Sequence, residues 1–294
     1  MTTETPPPSS RRELRAAGGS GGSRPAGRAG RNLPVAIGVG VGLGAVVLAS
    51  LLFDKRFFVA LATLASIVGA VEMLQALGKG RVHPPWVPTL AAAAAVPLAA
   101  YVWGPSALAP AVVLAVLVVI VWGASGHGAD VPRDTAGGVL TVIYVPALVA
   151  FAMLLVRPDD GMQRIVVFIV VTIASDIGGY AAGVLFGKHP MAPTVSPKKS
   201  WEGFAGSVVW CVAAGILTVV YLLDGAWWIG LLLGLAVVVA ATVGDLCESM
   251  IKRDLGIKDM SNLIPGHGGL MDRLDSMLLS VPVTWAILTF VSTT

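Results

Sequence analysis

Apolar residues in this chain come in long blocks that are nearly free of charge. Nine such blocks, 34–53, 57–77, 87–103, 106–122, 136–156, 163–186, 204–222, 226–247 and 275–293, run for roughly 17–24 residues each. That is the length an α-helix needs to cross a hydrocarbon core about 30 Å thick. The pattern predicts an all-α, polytopic integral membrane protein with about nine transmembrane helices. The third and fourth blocks are short, which suits either helices tilted less than the others or a tight hairpin. No polar domain interrupts the blocks, no linker divides them and no internal repeat is visible, so residues 34–294 read as a single transmembrane domain.

Composition agrees with the blocks. Apolar residues make up 55% of the 294 and charged residues 13%, against about 25% charged in ordinary soluble domains. Cys211 and Cys247 both lie in apolar blocks and read as buried thiols, not as a disulfide framework. Residues 1–33 differ from the rest: rich in Pro, Gly, Ser, Ala and Arg, they have no apolar surface to offset the entropy of ordering and read as a disordered tail.

The charge that remains is placed asymmetrically. Sixteen of the twenty Lys and Arg residues fall in the tail and the loops on its side of the membrane; Lys55, Arg56, Arg157 and Arg164 fall on the other. Basic loops stay in the cytoplasm, so the tail is read as cytoplasmic, and with nine spans the C-terminus is read as external. The two most polar loops, 187–203 and 248–274, then face the compartment that holds nucleotides and soluble metabolites.

Three acids interrupt the apolar blocks: Glu72, Asp176 and Asp245. An unpaired carboxylate in lipid is expensive and is a functional candidate by default. Glu72 is near a block end and reads as an ordinary snorkelling or helix-pairing residue. Asp176 is nearer mid-span, and Gly179, Gly183 and Gly187 follow it at a spacing that lets another helix approach closely, so it is expected to face the bundle interior. Asp245 ends the eighth block; if that helix continues, Asp245, Ser249 and Lys252 share a face, with Glu248 beside them.

The densest chemistry lies in residues 252–276, "KRDLGIKDMSNLIPGHGGLMDRLDS". Pro265, Gly266, Gly268 and Gly269 around His267 preclude a stable helix and suit a loop whose backbone N–H groups approach a ligand, as in phosphate cradles. Asp272 and Asp275 follow at i,i+3, so both carboxylates can share one helical face. They are hard oxygen ligands of the kind Mg²⁺ uses together with substrate phosphates. Lys252, Arg253, Lys258 and Arg273 are suitable phosphate partners. No GxxxxGK[ST] or HExxH is present, and the histidines are scattered.

Here the chain resembles the phosphatidate cytidylyltransferases, also called CDP-diacylglycerol synthases. The resemblance is carried by Ser249, Lys252-Arg253, Lys258-Asp259, His267-Gly268-Gly269 and Asp272-Arg273-Leu274-Asp275, with the family's spacing over about 27 residues. A second element, "SPKKSWEG" at 196–203, also resembles the family, with Ser200 where Thr is usual, as does Asp176 before "GGYAAG". The first 130 or so residues carry no motif that aligns.

The resemblance implies transfer of the cytidylyl group of CTP to phosphatidic acid, giving CDP-diacylglycerol and pyrophosphate for phospholipid synthesis, with no nucleic acid involved. It implies Mg²⁺ held by Asp245 and Asp272, and phosphates neutralised by Lys198, Lys199, Lys252, Arg253 and Arg273. It further implies a nucleotide pocket shaped by the glycine loop, and His267 donating a hydrogen bond. Asp275 joins the catalytic set, and Ser196, Glu202, Ser249, Lys258, Asp259, Gly268, Gly269 and Asp176 the substrate-binding set. The expected setting is the cell membrane, with the active site on the cytoplasmic side. Small-residue helix faces permit a homodimer without demanding one.

Two other readings stay open at this stage: an ion-coupled transporter using Asp176 and Asp245, and a CTP-dependent enzyme acting on an isoprenoid lipid. Motifs gathered on one face, not at the midplane, and the lack of an inverted repeat weigh against the transporter.

Residues 1–33 are distant in sequence from every motif, so a chain starting at Asn32 is expected to insert in the same orientation and keep wild-type activity. Loss of activity in a correctly oriented, folded truncation would contradict this.

Overall fold

The computed structural model describes residues 33–126, 130–261, 263 and 268–290. The expected disordered tail therefore lies outside the described residues except for Leu33, and so does His267. The elements in chain order are α1 (Leu33–Phe53), α2 (Lys55–Lys79), α3 (Trp86–Trp103), α4 (Pro105–Ala124), α5 (Val131–Tyr144), α6 (Pro146–Val156) and α7 (Gly161–Phe186). A short hairpin, β1 (Pro190–Ala192) and β2 (Ser196–Ser200), precedes α8 (Trp201–Leu223), α9 (Trp227–Asp254) and α10 (Met271–Phe290). By internal contacts, residues 43–294 form one compact unit and residues 1–42 another, of which only the start of α1 is described.

Among the described residues seven spans have the length and apolarity to cross a membrane, counting α5 and α6 as one. The protein is thus an all-α, multi-pass membrane protein, while the expected nine crossings are not all matched by that measure. α10 is outside the seven: three of its first five residues, Asp272, Arg273 and Asp275, are charged and lower its hydropathy.

The differences from the block pattern have local causes. α5 and α6 divide the fifth block at Val145 (φ −105°, ψ −77°). Pro146 follows; it has no N–H to donate and disfavours helical backbone in the residue before it. α3 and α4 meet through the single residue Gly104 at φ 82°, a conformation open to glycine at no steric cost, and they pack on each other as a tight hairpin. Residues 187–203, read only as a polar loop, contain the antiparallel β1–β2 pair.

α4 shows most directly what solvent the fold requires. Val119 is its one fully buried residue, while Val113, Leu114, Leu117, Val121 and Trp122 are exposed. A helix apolar all round and barely buried by protein needs lipid about it. The protein interior proper lies where α2, α6, α7, α9 and α10 meet, with Met73, Leu74, Met153, Leu155, Ile165, Leu233 and Leu288 all but sealed.

α7, α8, α9 and α10 pack in sequence order, each on the next. Close approach is set by small residues, as expected where no hydrophobic effect drives helices together. A Cβ on Gly234 of α9 would lie 2.6 Å from both the Cys211 carbonyl and Val212 Cα of α8. Those neighbours are backbone and cannot swing aside. Gly234→Val is therefore expected to cost about 1–3 kcal/mol or more and to lower the unfolding temperature in detergent by several degrees. An unchanged Tm would show that α8 and α9 part without penalty.

Candidate active site

α9 does not stop where its apolar block ends. It continues to Asp254 with Lys252 and Arg253 in the last turn, where cations suit the negative end of the helix dipole. Asp245, Ser249 and Lys252 do share a face: Ser249 Oγ lies 3.3 Å from Asp245 Oδ1. α10 returns beside α9, and Gly244 sits against the Asp275 carbonyl so closely that a Cβ there would overlap it. That contact sets Asp245 and Asp275 side by side.

Asp272 opens α10 and is only 8% exposed in its side chain. Its Oδ1 accepts from Lys252 Nζ at 2.9 Å. Its Oδ2 accepts from Gly269 N at 2.7 Å and Met260 N at 3.0 Å. Gly269 N belongs to the helix start, where amides lack partners within the helix. Lys252 Nζ also reaches Glu248 Oε1 at 3.0 Å, and that carboxylate is fully buried. Lys252 is thus a bridge between two acids.

α7 and α8 supply the opposite wall. The glycine stripe acts as expected: Gly178 lies against Gly206, Gly179 against Ser207, and Gly183 against Gly203. Asp176 faces α10, accepting from Ser276 Oγ at 3.3 Å. The β1–β2 hairpin leads into α8, whose N-terminus is capped by Ser200 Oγ accepting from Gly203 N at 3.1 Å. On β2, Lys199 reaches across to Asp245 at 2.8 Å. Arg253 Nε donates to Val195 O at 3.4 Å at the hairpin turn. Glu202 closes the hairpin base, accepting from the Lys188 and His189 amides and lying 2.6 Å from His189 Nδ1.

Between these walls is an open cavity of about 440 Å³. Asp176, Asp245, Asp272 and Asp275 line it together with Ser196, Lys198 and Lys199. Asp176, Asp245 and Asp275 lie near enough to repel one another electrostatically, and Lys199 neutralises only one of them directly. This is an all-oxygen, cation-seeking donor set. Among the described residues no three His, Cys, Asp or Glu groups converge to hold a metal by themselves. A hard divalent ion held here would need its remaining ligands from phosphate and water.

The two polar loops of the sequence thus meet at one place. Ser196, Lys198, Lys199, Asp176, Asp245, Asp272 and Asp275 share the cavity, with Ser249 and Lys252 bonded to its acids. Gly268 and Gly269 lie behind Asp272, with Asp259 against Gly268. Glu202, Arg253, Lys258, Asp259 and Arg273 are not among the lining residues. Two acids outside the expected set prove central to the local structure. Glu248 holds Lys252, and Glu72 reaches from α2 to the start of α10. Glu72 stood out by its place inside an apolar block but was read as an ordinary snorkelling or helix-pairing residue; Glu248 could have been singled out by its i,i+4 relation to Lys252.

Residues 34–291 match the sequence profile described as the Cytidylyltransferase family. The chain is 42% identical over 276 residues to a phosphatidate cytidylyltransferase of Mycobacterium bovis, covering 89% of this chain and 90% of that one. It is 41% identical over 278 residues to the phosphatidate cytidylyltransferase of Mycobacterium leprae, covering 89% of each. A phosphatidate cytidylyltransferase of Pseudomonas aeruginosa is 42% identical over 154 residues, 51% of this chain and 56% of that one.

Replacing Lys252 by Met would leave the buried Glu248 and the nearly buried Asp272 without their shared cation. Removing one member of a buried ion pair costs about 3–5 kcal/mol. Lys252→Met is expected to lose stability on that scale in denaturant unfolding in detergent, and a loss below about 1 kcal/mol would mean water already screens the group.

Proposed function

The chain belongs to the cytidylyltransferase family, and from that premise we propose that it transfers the cytidylyl group of CTP to phosphatidic acid, releasing pyrophosphate and forming CDP-diacylglycerol. The observation that carries the reading is the cavity that joins β2 lysines to α7, α9 and α10 aspartates in one polar site on a membrane bundle. A substrate with acyl chains is held in the bilayer, so its enzyme must present charge at a membrane helix end. The positive-inside distribution supports a cell-membrane location with this end, and the N-terminus, in the cytoplasm.

The reaction is a substitution at phosphorus. An anionic phosphate oxygen of phosphatidic acid attacks the α-phosphorus of CTP; that P–O bond forms while the bond to the bridging α–β oxygen breaks, and its electron pair leaves with pyrophosphate. The nucleophile is already ionised near neutral pH, so no strong general base is needed. The protein's work is positioning and charge neutralisation. Lys198 and Lys199 on β2 offer ammonium groups to the phosphates; Lys199 exchanges its carboxylate partner Asp245 for phosphate. Lys252 keeps Asp272 oriented, and Ser249 does the same for Asp245. Asp245 and Asp272, with Asp275 and Asp176 beside them, form the acidic wall that would hold Mg²⁺. That ion would neutralise phosphate oxygens and the charge that develops on the leaving pyrophosphate. In this reading Gly268 and Gly269 support Asp272 from behind.

The direct test is to supply purified protein with CTP, Mg²⁺ and phosphatidic acid and to look for CDP-diacylglycerol. Asp245→Asn and Asp272→Asn keep size but remove the anion. Each is expected to lower kcat by about 100-fold or more while the protein still inserts, and chelation of Mg²⁺ is expected to silence the wild type. Turnover of each variant across a Mg²⁺ titration decides the matter: near-normal rates in either variant, or activity that survives thorough chelation, would end the shared-metal reading.

A further inference from the structure

Glu72 is 3% exposed and lies on α2, nearly two hundred residues from the motif-bearing loop in sequence. Its Oε1 accepts from Ser261 Oγ at 2.6 Å and from Leu270 N at 2.9 Å. Its Oε2 accepts from Met271 N at 2.8 Å. Leu270 and Met271 stand at the start of α10, where backbone amides have no partner within the helix. Glu72 therefore acts as an N-terminal cap delivered from another helix, with its negative charge at the positive end of α10's dipole.

The same short segment is gripped from its other side. Asp272 Oδ2 takes the amides of Met260 and Gly269, so of the successive donors the first, at 269, goes to Asp272 and the next two, at 270 and 271, go to Glu72. The glycines follow from this double grip. A Cβ on Gly269 would lie 2.6 Å from Glu72 Oε2, and one on Gly268 would lie 2.8 Å from Asp272 Oδ2, at a φ of 79° besides. The pair of glycines is what lets two carboxylates close on one turn of chain.

We propose that Glu72 is a positioning residue for the reaction proposed above: by holding Ser261, Leu270 and Met271 it fixes the first turn of α10 that aims Asp272 into the cavity. It touches no reacting atom. It acts through the backbone, so its removal is expected to loosen nucleotide binding as the aim of Asp272 is lost.

The proposal is tested with Glu72→Gln and Glu72→Ala in the full-length protein in detergent. Gln keeps one acceptor oxygen but turns an NH₂ toward a donor; Ala removes every acceptor. Amide exchange at residues 269–271 is expected to speed at least 10-fold in Gln and more in Ala, with α8 unchanged. Affinity for CTP by calorimetry, and kcat/KM for CTP, are expected to fall at least 10-fold in the same order, while the KM for phosphatidic acid stays within about 2-fold. A residue that only stabilised the fold would lower Tm and yield and leave kinetics per folded molecule unchanged, and that outcome overturns the proposal. CTP affinity and exchange need no turnover. If the wild type makes no CDP-diacylglycerol, the reaction is wrong, yet positioning stands or falls on whether those two readouts move together. Should both Glu72 variants fail to insert, Ser261→Ala, which removes one donor and no buried charge, is expected to cost CTP affinity about 3-fold. Wild-type affinity in that variant overturns the proposal.

Discussion

An ionised carboxylate at the head of a membrane helix must find donors inside the protein, because lipid offers none. Asp272 finds one ammonium and two backbone amides, and much of the surrounding structure exists to bring them there. α9 has to run beyond its apolar stretch for Lys252 to arrive. Met260 and Gly269, nine residues apart in sequence, both have to bring their amides to the same carboxylate oxygen. Lys252, once drawn in, is shared with the buried Glu248. The remaining acids, Asp176, Asp245 and Asp275, face the cavity, and of these Asp245 has an ion-pair partner in Lys199. The cation proposed above, with its phosphate ligands, would offset that charge.

How much of this was legible beforehand varied with the range of the interaction. Blocks of apolar residues located nearly all the helices, since spanning length is a local property. Gly179 and Gly183 announced a close neighbour, and α8 is that neighbour. The continuing face of Asp245, Ser249 and Lys252 followed from helical spacing alone. The β1–β2 hairpin did not, because its strands of three and five residues carry no apolar alternation. The break at Val145 was signalled by Pro146 but hidden inside an unbroken apolar run.

Among site residues, shared location could be read and individual partnership could not. Lys199 and Asp245 each looked like a candidate; that they form an ion pair at 2.8 Å depends on a hairpin folding over a helix end. Glu202 sits in the motif "SPKKSWEG", yet its carboxylate fastens the hairpin base at His189 and does not line the cavity. Glu72 looked like an incidental acid near a helix end, because its partners are nearly two hundred residues away. No spacing rule reports a contact of that range.

The Glu72 contact also bears on how the molecule can be divided. From α7 onward the chain holds every motif and all the lining of the cavity, and on that basis it resembles a self-contained module that could be grafted onto other membrane anchors. It is not separable. Its final helix is capped by a side chain that belongs to the second, so a chimaera that swaps the front helices inherits whatever stands at that one position. The front of the protein, poor in recognisable motifs, is thereby a component of the catalytic half and no mere membrane tether.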